Sequence, residues 1–528
     1  MSPPPPETYD ILIVGSGNAG LSAALSAYYS YSPSSPNRIL IIDKCPPTWA
    51  GGNTFFTAGA YRTTHSGLSG PSPLLPFVNN VSPETAGLVD LDAYTIEQFE
   101  DDLMRVTDGR TDRALARVLV GDSYETVKWL REVVGVRFQL SFNRQAYKVD
   151  GRWRFWGGLH VKTEDGGRGL VEDELKAVGR CGIGVRFDTA VRRILKDDGT
   201  GSVSGVVVER DGEEVVIRAR AVVLAAGGFE ANPEMRKKYM GPNWDLAHVR
   251  GTPHNTGDLL SIAIRDVSAK VTGDWTSCHS VAWDANAPHD SGDREVSNEF
   301  TKSGYPLGLM INIGGRRFVD EGMDLRNYTY AKFGRAILEQ DDGCAFQVWD
   351  NKTIGMLRDE EYREERVERI TAGSIEELAD KCVEVGLNEK RTFIETIKRY
   401  NEAVYAHRKE HPHAKFDPTI KDGLSTQSSR LTLDPPKSNW ALSLDEPPFL
   451  AVKVACGITF TFGGLAVNPQ TAAVVSSRTE KEIPGLFCVG EMMGGLFYGN
   501  YPWGSGLMSG AVFGRRAGKA AAEMVSRC

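Results

Sequence analysis

The sequence lacks the features that mark disulfide-rich, zinc-binding or membrane-spanning proteins. Its eight cysteines include no CxxC pair and no zinc-like spacing with histidine, so we expect reduced thiols and no metal. No uninterrupted apolar run reaches the roughly 18 residues of a membrane span. The first residues show neither a secretory nor a transit pattern. We therefore expect a cytoplasmic protein.

Basic residues are also fewer than acidic residues. Lys and Arg total 61 against 69 Asp and Glu, which gives a formal net charge of −8 over 528 residues. Such a field repels a polyanion, so no nucleic acid partner is expected. Hydrophobic residues make up 41% and charged residues 25%, the balance of an ordinary globular protein. At about 150 residues per domain, the length allows two to four domains.

Glycine is the one residue type in excess, with 56 residues. Many occur in pairs along the chain, such as Gly51-Gly52, Gly227-Gly228 and Gly494-Gly495. Paired glycines allow the backbone to approach a ligand closely. Their recurrence suggests a long ligand that many loops contact, and a dinucleotide has that shape.

The N-terminal segment has the pattern of a βαβ unit. The β-branched run Tyr9–Val14 predicts a buried parallel strand, and the glycine turn 15–20 follows directly. A helical spacing of apolar residues comes next, and then a second strand, Arg38–Ile42, ends at Asp43. The turn would place a pyrophosphate at the helix N-terminus, and Asp43 would accept hydrogen bonds from a ribose.

Four further segments favour FAD over NAD as the dinucleotide. The loop Trp49–Thr54 follows the second strand and offers a path for a flavin's phosphates and ribityl chain. The strands Ala221–Glu230 and Gly485–Glu491 end in small residues and a carboxylate. Near the C-terminus, Gly504–Gly510 leads into a small-residue helix whose N–H groups could face a flavin carbonyl. For Glu491, a solvated carboxylate at a strand end is the alternative to ribityl binding.

These segments supply most of the predicted cofactor site, and a family resemblance adds Gly167 and Asp258. The residues predicted to bind FAD are Gly15, Gly17, Asn18, Ala19, Gly20, Asp43, Lys44, Gly51, Gly52, Asn53, Thr54, Gly167, Ala226, Gly227, Gly228, Asp258, Glu491, Ser505, Gly506 and Leu507.

Several motifs together resemble the flavoprotein superfamily of fumarate reductase and succinate dehydrogenase. They include GSGNAG at residues 15–20, RGTPHNTGD at 250–258, CHSVAWD at 278–284, RRFVDEG at 316–322 and GEMMGG at 490–495. Within this superfamily, the sequence is most similar to the FAD-dependent tricarballylate dehydrogenases. The resemblance covers the chain from about residue 9 to about residue 518.

The resemblance implies an α/β fold in two parts. A Rossmann-like FAD-binding domain of the GR2 type would be interrupted by an inserted α+β capping domain. Residues 1–240 and 447–528 would form the FAD-binding domain, and residues 241–446 the capping or substrate domain. In the chain itself, the strand and glycine pattern fades over this middle part.

The resemblance also implies catalytic residues. His279 matches the histidine that binds a substrate carboxylate in fumarate reductases, and a buried core histidine is the alternative. Arg326 falls within one residue of the proton-delivering arginine, and a salt bridge to Asp324 or Asp320 is its alternative. Tyr501 resembles the tyrosine that polarises a substrate carbonyl in ketosteroid Δ1-dehydrogenases, and an aromatic ring packed on the flavin is its alternative.

The sequence departs from fumarate reductases at two cationic positions. Thr459-Phe460 stands where those enzymes have a histidine, and Tyr501 where they have an arginine that binds a carboxylate. Plain fumarate or succinate chemistry is therefore not expected. Other residues could contact substrate instead, namely Arg168, Arg250, His254 and Thr459. No histidine occurs in residues 52–58, where relatives attach flavin covalently, so we expect noncovalent FAD.

We interpret the sequence as an FAD-dependent dehydrogenase that forms a C=C bond next to a carboxylate or carbonyl, as tricarballylate dehydrogenase does. The expected substrate is a small molecule, with a polycarboxylate as the example that the resemblance gives. The alternatives are a Δ1-dehydrogenase or ene-reductase acting on a bulkier carbonyl compound, a flavin-dependent isomerase, and a flavoprotein that passes electrons to a partner protein or a quinone.

Two segments of the middle part are interpreted without a functional role. Residues 388–405 place Phe393, Ile397, Tyr400 and Val404 on one stripe, which predicts a packing helix. The charge run 358–369 is typical of a solvated helix face.

Overall fold

The computed structural model describes residues 7–30, 38–296 and 298–527. The strands are β1 (Glu7–Val14), β2 (Ile39–Ile42), β3 (Ala60–Tyr61), β4 (Val89–Asp90), β5 (Phe138–Leu140), β6 (Ala146–Val149), β7 (Arg152–Phe155), β8 (Val161–Thr163), β9 (Gly184–Arg186), β10 (Ala190–Lys196), β11 (Val203–Arg210), β12 (Glu213–Leu224), β13 (His248–Val249), β14 (Val271–Thr272), β15 (Cys278–Asp284), β16 (Leu309–Asn312), β17 (Ala345–Trp349), β18 (Ile370–Ala372), β19 (Phe449–Thr461), β20 (Gly464–Leu465), β21 (Ala473–Val475) and β22 (Glu482–Cys488).

Helices connect these strands. They are α1 (Asn18–Ser30), α2 (Pro83–Ala86), α3 (Ile96–Val106), α4 (Arg113–Trp129), α5 (Phe142–Gln145), α6 (Gly166–Arg180), α7 (Pro233–Met240), α8 (Asp258–Val267), α9 (Tyr330–Leu338), α10 (Asn351–Ile354), α11 (Asp359–Tyr362), α12 (Ile375–Glu384), α13 (Lys390–Glu410) and α14 (Ser505–Ser526).

The largest sheet contains strands from both ends of the chain. Its order is β10-β11-β12-β1-β2-β9, and β22 pairs with β12 and with β21. Strand β1 runs parallel to β12 on one side and to β2 on the other, while β22 is parallel to the last residues of β12. The four strands predicted from buried apolar runs are therefore confirmed, and all four lie in this sheet.

Helices α1 and α14 pack against each other beside this sheet. Both contact β1 and β12, so the helix that follows the first strand lies against the last helix of the chain. Helix α1 begins at Asn18, directly after the glycine turn, and its first ten residues are almost wholly buried. The predicted β1, glycine turn, α1 and β2 unit is confirmed in this order.

A second sheet is built around one long strand, β19. Its order is β13-β19-β17-β16, and β15 and β18 also pair with β19. Helix α9 packs on β15 and β19, while α12 packs on β18 and α13. The predicted packing helix is confirmed, because the stripe from Phe393 to Val404 is buried in α13. Strand β19 begins two residues after the predicted boundary at 447 and belongs to this second sheet, and the division into domains stays a prediction.

The charge run 358–369 does not form a solvated helix face, so that prediction was wrong. Its helix, α11, has only four residues, and the Glu361 side chain is fully buried. Arg358 Nη1 donates to Glu361 Oε1 at 2.8 Å, and the remote Arg144 lies 3.5 Å from the same carboxyl. Glu361 is buried because it pairs with Arg358 and with Arg144, a tertiary contact that spacing does not reveal, whereas Asp359, Glu364, Glu365 and Glu368 are exposed.

The remaining expectations concern thiols, metals and membranes. Seven cysteines are free and buried, and Cys528 lies outside the described residues. Within the described ranges, no group of three or more His, Cys, Asp or Glu side chains is arranged to hold a metal ion. In the same part of the chain, no helix is both long enough and apolar enough to cross a membrane.

The contact between α1 and α14 generates a stability prediction. A Cβ atom on Gly518 would lie 2.2 Å from the Ala23 carbonyl oxygen of α1. We therefore expect Gly518→Ala to destabilise the fold by about 1–3 kcal/mol, because the two helices must move apart. The control is Gly121→Ala in α4, where an added Cβ meets nothing within 4 Å. This change should be neutral or stabilising by up to about 1 kcal/mol.

Thermal unfolding of the two variants measures the difference. A lower midpoint for Gly518→Ala and an unchanged or higher midpoint for Gly121→Ala are expected. Equal midpoints in the two variants would contradict the close packing of the two chain ends.

Candidate cofactor and active site

Two adjoining cavities lie at the carboxyl ends of β1, β2 and β12. The first, which we call the polar groove, has a volume of about 1000 Å³ and is lined by residues of segments 14–19, 43–45, 52–54, 225–228 and 252–259. The second, the aromatic cavity, has a volume of about 920 Å³ and is lined by Phe460, Phe462, Phe497, Tyr501 and Trp503 among others. Asn18, Ala19, Asn53, Thr54 and Glu491 line both, so the two cavities form one elongated space.

The polar groove is built at the point where parallel strands end. Strands β1, β2 and β12 end at Val14, Ile42 and Leu224. The residue that follows each of these strands lines the polar groove. Asp43 follows β2, and its Oδ2 accepts hydrogen bonds from Ser16 N at 2.8 Å and from Ser16 Oγ at 2.7 Å. These bonds hold the glycine turn against the second strand, which leaves the N-terminus of α1 open to the groove.

Lys44 and Asp258 form an ion pair at the mouth of the groove. Lys44 Nζ lies 2.6 Å from Asp258 Oδ2 and also 2.6 Å from Thr256 Oγ1. Burial raises the pKa of Asp258, but the hydrogen bond and charge of Lys44 outweigh it and lower the pKa overall. The pair joins the end of β2 to the start of α8 and keeps both charges at the groove.

Asn18 links the two chain ends where the cavities meet. Its Nδ2 donates to the Leu507 carbonyl oxygen at 2.8 Å, and its Oδ1 accepts from Tyr61 OH at 2.8 Å. The backbone N–H of Asn18 donates to Thr54 Oγ1 at 3.1 Å. These contacts bring the starts of α1 and α14 together beside the 52–54 loop.

Most of the predicted cofactor-binding residues line these cavities. Those in the polar groove are Gly15, Gly17, Asn18, Ala19, Asp43, Lys44, Gly52, Asn53, Thr54, Ala226, Gly227, Gly228, Asp258 and Glu491, together with the predicted substrate residue His254. Gly506 and Leu507 line the aromatic cavity, as do the predicted substrate or catalytic residues Arg250, His279, Thr459 and Tyr501.

Six predicted residues line neither cavity. They are Gly20, Gly51, Gly167, Ser505, Arg168 and Arg326. A Cβ atom on Gly20 would lie 2.1 Å from the Gly15 carbonyl oxygen, and one on Gly167 would lie 1.8 Å from that of Thr54. These two glycines therefore allow close backbone packing around the groove. Arg168 is exposed on the surface of α6.

Arg250 is the main buried cation of the aromatic cavity. Its side chain is 4% exposed; Nη1 donates to Thr459 Oγ1 at 2.9 Å, and Nη2 donates to Asn298 Oδ1. Its Nε has no hydrogen-bond partner, and no carboxylate of a described residue lies within 4.0 Å of the guanidinium. Burial lowers the pKa of Arg250 to about 10, so the side chain remains a cation at neutral pH.

His279 and Tyr501 face each other in the same cavity, with ring centroids 4.8 Å apart. His279 lies on β15 opposite Phe460 of β19, and its buried Nδ1 has no partner. Burial, together with the charge of Arg250, holds the pKa of His279 well below its usual range, so the imidazole is neutral. Burial raises the pKa of Tyr501, which keeps its phenol protonated at neutral pH.

Arg326 is buried outside both cavities. Its Nη2 donates to the Arg144 carbonyl oxygen at 2.7 Å, and its guanidinium carbon lies 5.2 Å from the centre of the Trp156 ring. It lines a separate, smaller cavity with Trp156 and Trp440. The alternative salt bridges are not formed either, because Asp324 pairs with Arg105 and Asp320 accepts from Ser438. The proton-delivering role of Arg326 stays a prediction.

Comparison with known proteins identifies the family. A family profile described as an FAD binding domain matches residues 85–507. The chain belongs to this family.

Two curated relatives and one solved structure extend the comparison. A probable fumarate reductase of Shewanella frigidimarina is 27% identical over 98% of this chain and 76% of its own length. A 4-oxocyclohex-2-ene-1-carboxylate 5-dehydrogenase of Sinomonas cyclohexanicum is 24% identical over 98% of this chain and 94% of its own length. The structure of a 3-ketosteroid Δ1-dehydrogenase from Sterolibacterium denitrificans has a TM-score of 0.71 and 18% identity, over 98% of this chain and 100% of that one. That last likeness concerns the fold alone.

The chain is thus an FAD-dependent oxidoreductase with the mixed α/β fold of the FAD binding domain family. The residues present fit FAD. The two joined cavities give an elongated space, and a Cβ atom on Gly17 would approach protein atoms no closer than 3.5 Å, so this glycine faces open groove.

Sequence reasoning missed several residues of the site. Glu230 is fully buried and contacts Asn53 and Asn255, and Asn298 holds Arg250. Glu230 could have been predicted as a site residue, because a carboxylate that follows a buried strand and a run of small residues needs a polar partner. Asn298 could not have been predicted in this way, because its hydrogen bond with Arg250 depends on the fold of a loop that is distant in the sequence.

The glycine turn generates a prediction on cofactor retention. Gly17→Val should fold, because the nearest protein atoms lie 3.5 Å from the added Cβ, but its side chain would enter the groove at the start of α1. We expect the FAD content of the purified protein to fall by about tenfold or more. Absorbance of bound flavin and far-UV circular dichroism measure the two properties.

The matched control is Gly20→Val, where the added Cβ would collide with the Gly15 carbonyl oxygen. This variant should lose the fold itself rather than the cofactor alone. Full FAD occupancy in Gly17→Val would count against the assigned groove.

Proposed function

We propose that this oxidoreductase interconverts CH–CH and C=C bonds next to a single carboxylate or carbonyl group of its substrate. Bound FAD supplies the two-electron donor or acceptor. The chain would bind the substrate in the aromatic cavity, orient it and stabilise the negative charge that develops on its oxygen. The direction of the reaction depends on the electron partner.

The observation that supports this proposal best is the unpaired guanidinium of Arg250. Among the described residues that line the aromatic cavity, Arg250 alone is cationic at neutral pH. A buried charge without a counter-ion costs several kcal/mol, so its retention indicates an anionic or strongly polar ligand. A carboxylate can accept two parallel hydrogen bonds from a guanidinium, a geometry that fits this ligand class.

His279 and Tyr501 complete the polar side of the cavity. The protonated phenol of Tyr501 can donate to a substrate carbonyl, and the neutral imidazole of His279 can donate from one nitrogen and accept at the other. Enolate-like charge on the substrate would then be shared between these groups and Arg250. Together they hold a substrate oxygen without placing a second cation in the cavity.

The single cation of the aromatic cavity favours a substrate with one anionic group over a substrate with three. Tricarballylate carries three carboxylates, and two of them would lack a cation in a cavity that the described residues line with one arginine, five aromatic rings and the carboxyl of Glu491. We therefore favour a compact substrate with a flat apolar body and one carboxylate or ketone. The relative from Sinomonas is named for a substrate of this description, a ring with one carboxylate and one ketone.

A bulkier ketone is the second candidate substrate. The five aromatic side chains that line the cavity, with Tyr501 among them, would suit a fused-ring body whose carbonyl reaches the phenol. This proposal corresponds to the Δ1-dehydrogenase alternative.

We also propose a capping role for the middle of the chain, noncovalent binding of FAD and a cytoplasmic location. The second sheet contributes His279 from β15 and Thr459 from β19 to the cavity, which supports a capping role for the middle of the chain. We propose that FAD is bound noncovalently, because residues 52–58 contain no histidine. A cytoplasmic location and an electron-transfer protein or quinone as redox partner remain part of the proposal.

Anaerobic flavin spectra test the proposed reaction. The FAD-loaded protein is mixed with fumarate, tricarballylate, 4-oxocyclohex-2-ene-1-carboxylate or 4-androstene-3,17-dione, before and after chemical reduction. A change in flavin redox state with the cyclic carboxylate or the steroid ketone is expected. A response to tricarballylate alone would contradict the one-anion substrate. Turnover without any spectral change would instead support an isomerase.

Replacing Arg250 tests the anion site directly. Arg250→Met should weaken binding of the cyclic carboxylate by about 2–3 kcal/mol, roughly 30- to 150-fold in Kd, because it removes charge-assisted hydrogen bonds. FAD content should be unchanged. Titration followed by flavin absorbance measures the affinity.

The matched control is Arg168→Met, which removes an arginine from the exposed surface of α6. Its affinity for the same carboxylate should equal that of the unchanged protein. Equal losses in both variants, or none in Arg250→Met, would remove Arg250 from the site.

His279 generates a prediction on pH dependence. Because its imidazole is already neutral, flavin reduction by substrate should show no histidine titration between about pH 5.5 and 7.5, where an ordinary histidine loses its proton. His279→Ala should slow reduction and leave FAD bound. A step in this pH range that disappears in His279→Ala would contradict the neutral assignment, and an unchanged rate would remove the residue from the site.

A further inference from the structure

Glu230 lies buried between the two cavities and contacts three polar side chains that line them. It follows the glycine pair 227–228 and has no exposed surface. Its Oε1 accepts hydrogen bonds from Asn53 Nδ2 and from Asn255 Nδ2, the latter at 2.6 Å. The neighbouring carboxyl is that of Glu491, which lines both cavities.

The two oxygens of Glu230 differ in their partners. Oε1 already accepts from two amides, whereas Oε2 is buried and no group of the described residues donates to it. If both carboxyls were ionised, a negative charge on the fully buried Glu230 would face a second negative charge on the half-buried Glu491, which is strongly unfavourable. A proton on Oε2 removes one charge and turns the contact with Glu491 into a hydrogen bond.

The surroundings of the pair support a proton on Glu230 rather than on Glu491. Glu491 Oε1 accepts from Thr461 N at 2.7 Å and from Thr461 Oγ1 at 3.1 Å, which stabilise its ionised form. No Lys, Arg or His side chain of the described residues donates to the Glu230 carboxyl. Arg236 Nη1 donates to the main-chain oxygen of Glu230, so its charge acts on the carboxyl only from a distance, and the buried thiol of Cys278 is another titratable neighbour.

The pKa values agree with this assignment. Burial, followed by the charge of Glu491, raises the pKa of Glu230 well above its usual range. Burial also raises the pKa of Glu491 overall, although its hydrogen bonds to Glu230 and Thr461 act in the opposite direction. The larger rise at Glu230 agrees with a proton on this residue.

We propose that Glu230 is a positioning residue that carries this proton as a neutral carboxylic acid and so fixes Asn53, Asn255 and Glu491 around the FAD site. As an acid it accepts from the two amides and donates to Glu491. This keeps a single negative charge where the polar groove meets the aromatic cavity, and it turns Glu491 toward the bound cofactor. The proposal concerns FAD binding and does not depend on the substrate.

Glutamine is the test substitution, because its amide reproduces a neutral carboxylic acid. In Glu230→Gln the side-chain oxygen can still accept from Asn53 and Asn255, and the NH₂ group can still donate to Glu491. We expect the Kd for FAD to change by less than about threefold. Glu230→Ala removes both functions, and we expect the Kd to rise about tenfold or more.

Infrared spectroscopy of the FAD-loaded protein detects the proton itself. A protonated carboxyl has a C=O stretching band that shifts in D₂O, and Glu230→Gln should lose one such band. The matched control is Glu174→Gln, because Glu174 is also fully buried, its pKa is raised by burial, and it lines neither cavity. That variant should lose a different band and keep the one assigned to Glu230.

Two results would overturn the proposal. One is an infrared spectrum in which Glu230→Gln loses no protonated-carboxyl band, since this residue would then be ionised. The other is a Glu230→Gln variant that binds FAD much more weakly than the unchanged protein, since a neutral side chain would then not suffice. Both measurements are made without substrate, so a failed turnover assay cannot produce either result.

Discussion

The contact between the two ends of the chain is the constraint on which the rest of the structure depends. Helix α14 lies close enough to α1 that Gly518 approaches the Ala23 carbonyl oxygen, and Asn18 is bonded to the Leu507 carbonyl oxygen. Because β22 joins the same sheet as β1, Glu491 reaches the glycine turn. The cofactor space therefore exists only when both ends have folded together.

Two charges of opposite sign, on the half-buried Glu491 and the buried Arg250, distinguish the cofactor part of this space from the substrate part. Glu491 provides negative charge where the two cavities meet, and Arg250 provides positive charge within the aromatic cavity. Neither has an ion-pair partner of opposite sign among the described residues. Unpaired charges of this kind reduce the stability of the fold, and their clustering in one cleft is typical of functional sites.

The local part of this arrangement could be predicted from the sequence. Strand β1, the glycine turn and α1 follow from neighbouring residues, as does the buried stripe of α13 from Phe393 to Val404. The tertiary part could not. The Arg326 side chain lies outside the aromatic cavity against Trp156, and the buried Glu361 pairs with Arg144. Whether a long charged side chain lines a cavity or forms an ion pair depends on segments that are distant in the sequence.

We propose that a substrate anion binds Arg250 beside FAD held by both chain ends. A crystal structure of the FAD-loaded protein with 4-oxocyclohex-2-ene-1-carboxylate would show this arrangement. We expect the flavin ring next to the Gly504–Leu507 segment, with the ligand carboxylate or ketone at hydrogen-bonding distance, about 3 Å, from the Arg250 guanidinium. A ligand bound at Arg326 with Arg250 empty, or a flavin ring outside the aromatic cavity, would contradict it.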